Sequence, residues 1–190
     1  PDDMHMLGRG VYTPAEAARL AEITPQRIHR WFFGRPGGLQ PVSPADYLRG
    51  RGERLLSFLD LIDAWVIGRL REHRMSLQSL RRLHDKLRQE LTDRHPFAHK
   101  SFLTDGRELF VHVAQENGEE ILRKLVTRQQ AFPEILLPYL KRLDYDPNTL
   151  FARRWRVADG ILIDPQRRFG KPILAETTIP TSIVAAAYRA

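Results

Sequence analysis

The chain has 190 residues, of which 42% are hydrophobic and 9% aromatic, a composition typical of a folded protein with a buried core. Its 30 lysines and arginines, mostly arginine, exceed its 23 acidic residues and give a net charge of +7, which favours a polyanionic partner. The chain has no cysteine, which excludes thiol nucleophiles, disulfides and thiolate zinc sites.

Membrane contact is not expected. No apolar run reaches the roughly 20 residues that span a bilayer, and the first residues, PDDMHM, have neither the basic start nor the apolar stretch of a signal peptide. We therefore predict a soluble, cytoplasmic protein.

Two short helices are predicted over residues 12–35. Thr13 can cap the first helix, Pro14 suits its first position and Glu16 completes a capping box, so this helix should run to about residue 22. The pair Thr24-Pro25 repeats the signal, and we expect Thr24 to cap the second helix. The corner between the helices is then three or four residues long.

The second helix has one apolar and one basic side. Ile28, Trp31 and Phe32 share a face by helical spacing and should be buried. The remaining surface carries Gln26, Arg27, His29 and Arg30, which is the layout of a DNA-recognition helix, because arginine can contact guanine and glutamine can contact adenine. A basic, solvated helical hairpin without a nucleic-acid role is the alternative.

A turn at Pro36-Gly37-Gly38 follows. It could form a small hairpin, or wing, with Leu39, Gln40 and Val42, and it would place Arg35 near a phosphate. An ordinary connector explains the composition equally well. Ser43-Pro44 with Asp46 then predicts another helix start.

A second helical pair is predicted from about residue 55 to residue 90. Its first helix places apolar residues at helical spacing, and its second helix does so after Ser76, which we expect to be its cap. The two stripes are Leu55, Phe58, Leu59, Ile62, Trp65 and Val66, and then Leu77, Leu80, Leu83 and Leu87. The second helix also carries Arg81, Arg82, Lys86 and Arg88, which could meet a DNA backbone or simply face solvent.

The pattern changes after residue 95. FLTDGRELFVHV predicts two strands about Asp105-Gly106, and a helix should follow from Asn117. A shorter helical piece with Pro138 inside comes next, and then a strand pair around Asp159-Gly160. In the tail, DPQRRFGKP leads to ETTIP and a helix, in which we expect Ile179 and Ile183 to be buried.

Two resemblances arise from these motifs. The order of the predicted elements resembles the MerR-like winged helix-turn-helix: a helix, a turn, a second helix ending in RW, a wing and then a second helical pair. The tail resembles a C-terminal module of unknown function with a GKP...GTRIP-like hallmark, through Asp164-Pro165, Gly170-Lys171-Pro172 and the sequence ETTIP that ends at Pro180. Glu176 and Thr178 stand where that hallmark has Gly and Arg. Because the module usually extends further, we expect it to be truncated here.

In combination these motifs resemble one family over nearly the whole chain. The order of four segments is similar to that in VapB-type antitoxins with a MerR-like N-terminal domain; the segments are SFLDLIDAW, HPFAHKSFLTDGRELF, PYLKRLDYD and DPQRRFGKP. Such proteins are paired with a toxin of PIN-like ribonuclease fold. The resemblance implies a DNA-binding antitoxin that neutralises this toxin and represses its own operon.

No convincing catalytic or metal-binding pattern is present, so we expect neither an enzyme nor a cofactor. Asp93, His95 and His99 have a metal-like spacing, but Pro96 breaks any helix between them. Asp60 and Asp63 are expected to line a solvent edge or to pair with arginines.

These observations predict a mixed α+β protein that is mainly helical. The predicted segments are the winged helix at 8–95, a strand-helix region at 96–150 and the C-terminal module at 151–190. The expected partners are double-stranded DNA, the toxin and a second copy in a homodimer. Bases would be read by Gln26, Arg27 and Arg30, with phosphates contacted by Arg9 and Arg35 and with Thr24 and His29 also at the interface. A MerR-like regulator unrelated to a toxin and a purely protein-binding inhibitor are the alternatives.

Overall fold

A computed structural model describes residues 8–34, 37–38, 40–48, 54–104 and 131–189. The architecture is α+β, with helices packed beside a small antiparallel sheet, as predicted from the sequence. Among these residues, no helix is both long enough and apolar enough to cross a membrane.

The first two helices form where the sequence places them. Helix α1 spans Pro14–Leu20, and its capping box is complete: the Thr13 hydroxyl accepts from the Glu16 amide at 3.2 Å, and Glu16 accepts from the Thr13 amide at 2.9 Å. Helix α2 spans Pro25–Ile28 and continues as a π-helical turn over His29–Phe33. The prediction for Thr24 was wrong, since its side chain makes no capping hydrogen bond within the described residues. Proline at the first helical position starts α2 by fixing the backbone angle.

The stretch after the second helix differs from its prediction. No helix begins at Ser43, because the amides of Val42 and Ser43 donate to the Trp31 carbonyl at 2.7 and 3.2 Å and so fasten this segment to the helix end. The chain then forms strand β1, Tyr47–Leu48, which pairs antiparallel with strand β2, Arg54–Leu55. The structure therefore has a hairpin here, further along the chain than the predicted wing, of which residues 35, 36 and 39 lie outside the described residues.

Two longer helices build the centre of the core. Helix α3 spans Phe58–Glu72 and is capped by Ser57, with Asp60 completing the box. Helix α4 spans Leu77–Leu91 and is capped by Ser76, as predicted. Leu55 was predicted to lie in the first of these helices, but it ends strand β2 instead. The other predicted apolar stripes face the core, where Leu59 and Leu77 are only partly buried.

The chain beyond α4 turns sharply. A 3₁₀ turn at Pro96–Ala98 is followed by helix α5, Ser101–Thr104. The predicted strand starting at Phe102 is therefore wrong, and a helical turn instead packs the Phe102 ring edge-on against Phe97 in the core, 5.1 Å between centroids. The rest of that predicted hairpin and the helix predicted from Asn117 lie outside the described residues.

The C-terminal part contains the larger sheet. Helix α6, Ala131–Leu140, contains Pro138 as predicted. Strands β3 (Leu143–Tyr145), β4 (Ala152–Ala158), β5 (Ile161–Ile163) and β6 (Ile173–Leu174) then form an antiparallel sheet in that order. The predicted turn between β4 and β5 is present, and Gly160 has the positive φ of 72° that the turn requires.

A hydrophobic core formed by described residues extends across the three predicted segments. The rings of Trp65 in α3 and Trp155 in β4 lie 4.6 Å apart, and both side chains are buried. The Tyr12 hydroxyl donates to the Gly170 carbonyl at 2.8 Å, so the GKP step of the tail lies against the N-terminal residues. The C-terminal tail and the N-terminal residues are thus packed against each other.

The final helix is exposed. Helix α7 spans Thr181–Arg189 and has no buried residue in the described structure. The burial predicted for Ile179 and Ile183 was wrong: the two residues are 45% and 59% exposed. Spacing alone gave the correct helix but could not show whether another element covers its apolar side.

Candidate functional site

The second helix divides its surface as the sequence predicts. Ile28, Trp31 and Phe32 are at most 2% exposed. Gln26, Arg27 and Arg30 are exposed, and so is Thr24 just before the helix. Because packing fixes the apolar side, the polar side is held towards solvent on a rigid element.

A second basic side chain lies near this helix. Arg81 of α4 donates through Nε to the Gln40 carbonyl at 2.8 Å. Burial is the main factor that lowers the pKa of Arg81, and the positive charge of Arg30 lowers it further. The charges of Arg30 and Arg81 therefore interact, although the two residues are far apart in the sequence. Neighbouring like charges repel each other, which favours an anionic partner.

The rest of the basic surface predicted on α4 is at least partly accessible. Arg82 and Arg88 are exposed, whereas Arg81 and Lys86 are partly buried. Helix α4 therefore presents further positive charge to solvent.

His29 has a different environment from the other predicted DNA contacts. It is partly buried, and its Nδ1 lies 3.0 Å from Nη1 of Arg54. Burial first, and then the charge of Arg54, lowers the pKa of His29. Since arginine can only donate, Nδ1 accepts this hydrogen bond and the ring is neutral. His29 therefore positions Arg54 beside the helix.

Sequence reasoning missed Arg54. Its guanidinium carbon lies 5.4 Å from the centre of the Phe33 ring, so strand β2 adds a cation at the end of the π-helical turn. The sequence RGRGER at 49–54 was a signal for this, because the run is basic and rich in glycine.

The two predicted phosphate contacts have different outcomes. Arg35 lies outside the described residues. Arg9 is exposed and lines a cavity of about 420 Å³ beside the start of α3, together with Asp46, Ser57 and Arg153. The structure thus places Arg9 on the wall of the same cavity as Asp46, an acidic residue that the sequence did not connect with it.

A buried group of charged side chains lies next to this cavity. Asp60 and Asp63 are fully buried, so the prediction that they line a solvent edge was wrong. His95 bridges two carboxylates, with Nε2 3.0 Å from Asp46 and Nδ1 3.1 Å from Asp63. The Ser43 hydroxyl also donates to Asp63 at 3.1 Å. We call Asp46, Asp60, Asp63 and His95 the carboxylate–histidine cluster.

Proton affinities in the cluster follow from these contacts. Burial alone would lower the pKa of His95, but its bonds to Asp46 and Asp63 raise it to about 10. Burial alone would raise the pKa of Asp46, whereas its bond to His95 holds it at about 2. Burial raises the pKa of Asp60 to about 6. His95 is therefore an imidazolium between two carboxylates, and Asp60 is a third acid beside them.

The metal-like spacing of Asp93, His95 and His99 does not produce a joint site. Asp93 accepts from the backbone amide of His95 at 3.0 Å, while the His95 ring turns towards the cluster. His99 accepts from the Ser101 amide at 3.2 Å, and its ring packs edge-on against Phe151 at 4.8 Å. Pro96 separates the two histidines by starting a 3₁₀ turn.

Comparisons with known proteins show a likeness in fold. No protein-family model and no curated protein matches the chain. Among solved structures, the chain is similar to the crystal structure of Rv2018 from Mycobacterium tuberculosis, with a TM-score of 0.78 and 25% sequence identity. The match covers 94% of this chain and 86% of the Rv2018 chain. The arrangement of nearly the whole chain is therefore shared with Rv2018.

Proposed function

We propose that the protein binds double-stranded DNA through the exposed side of α2 and the π-helical turn that follows it. The observation that carries the proposal is the pairing of a buried apolar face with exposed Gln26, Arg27 and Arg30 on one short, packed helix. A helix held in this way can enter the major groove, where arginine and glutamine recognise base edges.

Neighbouring elements support the same role. The charge of Arg81 interacts with that of Arg30, and Arg54 is held by His29 at the end of the second helix. In this proposal the β1–β2 hairpin acts as the wing of a MerR-like winged helix, and Arg54 of β2 would approach a phosphate backbone.

We further propose that DNA binding serves an antitoxin. The sequence resemblance to VapB-type proteins motivates this role, with a PIN-like ribonuclease as the protein partner and with repression of the shared operon as the outcome. Ile183, Val184 and Tyr188 of α7 are 59%, 44% and 93% exposed, which favours a contact with another protein. The proposed homodimer would place two recognition helices on paired DNA half-sites.

The DNA-binding part can be tested by fluorescence anisotropy with a fragment from upstream of the protein's own gene. The wild-type affinity should fall steeply between about 50 and 200 mM salt, because phosphate contacts release counterions. Arg27→Ala/Arg30→Ala should bind at least about tenfold more weakly, since each good base contact contributes about 1–3 kcal/mol of discrimination.

A matched control is Arg153→Ala/Arg189→Ala, which removes the same charge from exposed positions on β4 and α7. This variant should retain specific binding. Equal losses in both double variants would mean that net charge, and not the second helix, determines binding.

The antitoxin part needs a separate assay. The ribonuclease encoded beside the gene, if present, should form a complex with the chain and lose its activity. DNA binding without any such complex would favour the alternative of a MerR-like regulator unrelated to a toxin. Inhibition without DNA binding would favour a purely protein-binding inhibitor.

A further inference from the structure

The carboxylate–histidine cluster gathers ligand-type atoms from three separate parts of the chain. Asp46 precedes β1, Asp60 and Asp63 lie in the first turns of α3, and His95 follows α4. One potential ligand atom from each of Asp46, Asp60 and His95 lies within 4.8 Å of the others. Octahedral ligands at 2.0–2.2 Å from a metal ion are about 3–4.4 Å apart, so small side-chain adjustments would bring these atoms around one ion.

Two buried carboxylate oxygens in the cluster accept no hydrogen bond from the described residues. Oδ1 of Asp60 and Oδ1 of Asp63 have no hydrogen-bond donor in the described part of the chain, although both residues are 0% exposed. Oδ1 of Asp60 lies 3.9 Å from Nδ1 of His95, so it points into the cluster. An unpaired carboxylate oxygen in the interior is costly, and a bound cation would remove that cost.

The local charges also leave the cluster negative. Three carboxylates face the single imidazole of His95. Arg94 approaches Asp46 at 3.5 Å, but its side chain is 55% exposed. Solvent therefore screens its positive charge, which offsets the negative charge of the cluster only weakly. His84 is buried nearby, and burial is the main factor that lowers its pKa.

A route connects the cluster with solvent. The cavity of about 420 Å³ beside α3 is lined by Asp46 and Ser57, so its wall includes the outermost carboxylate of the cluster. A hydrated ion in this cavity would meet Asp46 first and could then exchange water for the inner ligands.

We propose that the cluster is a binding site for one divalent first-row cation, coordinated by Asp46, Asp60 and Nε2 of His95, which releases its proton to solvent as the ion binds. Carboxylate and imidazole ligands without thiolate suit Mn²⁺ or Zn²⁺. Asp63 would accept from the other ring nitrogen of His95 and hold the imidazole in place. The ion would link β1, α3 and the segment after α4. The site is independent of the DNA-binding proposal.

The test uses the full chain after removal of metal by a chelator. Addition of Mn²⁺ should quench its free-ion electron paramagnetic resonance signal with saturation at one ion per chain. Zn²⁺ should displace the bound Mn²⁺, because zinc binds such ligands more tightly. Either ion should raise the midpoint of thermal unfolding, since it binds the folded state.

Asp60→Asn is the informative variant. An asparagine oxygen can still accept from the amides of Ser57 and Asp46, as Asp60 does at 2.8 and 3.0 Å, so the helix cap is retained. Mn²⁺ affinity should fall at least tenfold, whereas the metal-free variant should unfold at the same temperature or higher. Asp46→Asn provides a second variant and should also weaken Mn²⁺ binding at least tenfold.

The control is Asp159→Asn, which removes one acidic charge from an exposed turn between β4 and β5. It should bind Mn²⁺ as the wild type does. Absence of saturable Mn²⁺ binding by the wild type would overturn the proposal. Binding that persists unchanged in both cluster variants would also overturn it, since the ion would then lie elsewhere.

Discussion

The exposed side of α2 and the carboxylate–histidine cluster use charge in opposite ways. Arg27 and Arg30 are exposed, and the charge of Arg30 interacts with that of Arg81. Asp60 and Asp63 are fully buried, and the cluster shares hydrogen bonds among segments that are distant in sequence. Exposed charge contributes little to folding and is available to a partner, whereas buried charge is tied to the stability of the core.

The largest expected effect follows from removing the bridging imidazole. His95→Ala would leave the Asp46 and Asp63 carboxylates without their shared donor inside the protein. Breaking a buried ion pair in this way should lower the free energy of unfolding by about 3–5 kcal/mol, measured by urea denaturation. His73→Ala, at an exposed position, should cost less than about 0.5 kcal/mol. Equal losses would show that the cluster contributes nothing special to stability.

The pH dependence of stability should report the same bridge. The pKa of His95 rises from its ordinary 6.5 to about 10 in the folded state. The folded protein therefore holds this proton more tightly, so its stabilising contribution is complete below about pH 6.5 and is lost as the pH rises to about 10. Urea denaturation of metal-free protein should show this decline, and His95→Gln should flatten it. An unchanged decline in the variant would assign the effect to other groups.

A smaller effect on stability is expected at the contact between exposed Arg54 and partly buried His29. Arg54→Ala removes the charge that contributes to lowering the pKa of His29, while the burial of the ring remains. The pKa of His29 should therefore rise, which the pH dependence of its imidazole proton resonances in NMR spectra can measure. Stability should change by less than about 1 kcal/mol, because the pair lies near the surface. An unaltered pKa would mean that Arg54 does not contact His29 in solution.

The smallest effect on stability should come from the proposed DNA-reading side chains. Arg27→Ala/Arg30→Ala changes two exposed residues that make no contribution to the core, so its unfolding free energy should stay within about 0.5 kcal/mol of wild type. Urea denaturation provides the comparison. A loss of 2 kcal/mol or more, on the order expected for buried groups, would contradict the contrast between the two regions.

Local signals in the sequence predicted much of the structure around the second helix and the helix caps. The capping box of Thr13 and Glu16, the cap at Ser76 and the buried face of the second helix depend on residues within a few positions of each other. Patterns of this range can be read without knowledge of the fold. Thr24 was an exception, because Pro25 starts the helix there without a side-chain cap in the described structure.

The buried cluster could not be predicted in the same way. His95 meets Asp46 across 49 positions and Asp63 across 32, and no local pattern connects them. Ser43 and Asp46 were predicted to start a helix, yet their side chains bond to Asp63 and His95 instead. Tertiary hydrogen bonds therefore overrode the local capping signal. The exposure of Ile183 could not be predicted either, since helical spacing does not show whether a neighbouring element covers a helix face.

The position of the second helix on DNA is the central claim, and the absence of cysteine allows a direct test. Gln26→Cys would introduce a unique thiol to which an iron–EDTA group can be attached for cleavage of nearby DNA. We predict strong cuts at discrete positions within the bound site for this variant, and weak or no cuts from the same group on Asp159→Cys in the exposed turn between β4 and β5. Discrete cuts from position 159 with none from position 26, while both proteins bind the DNA, would contradict the account.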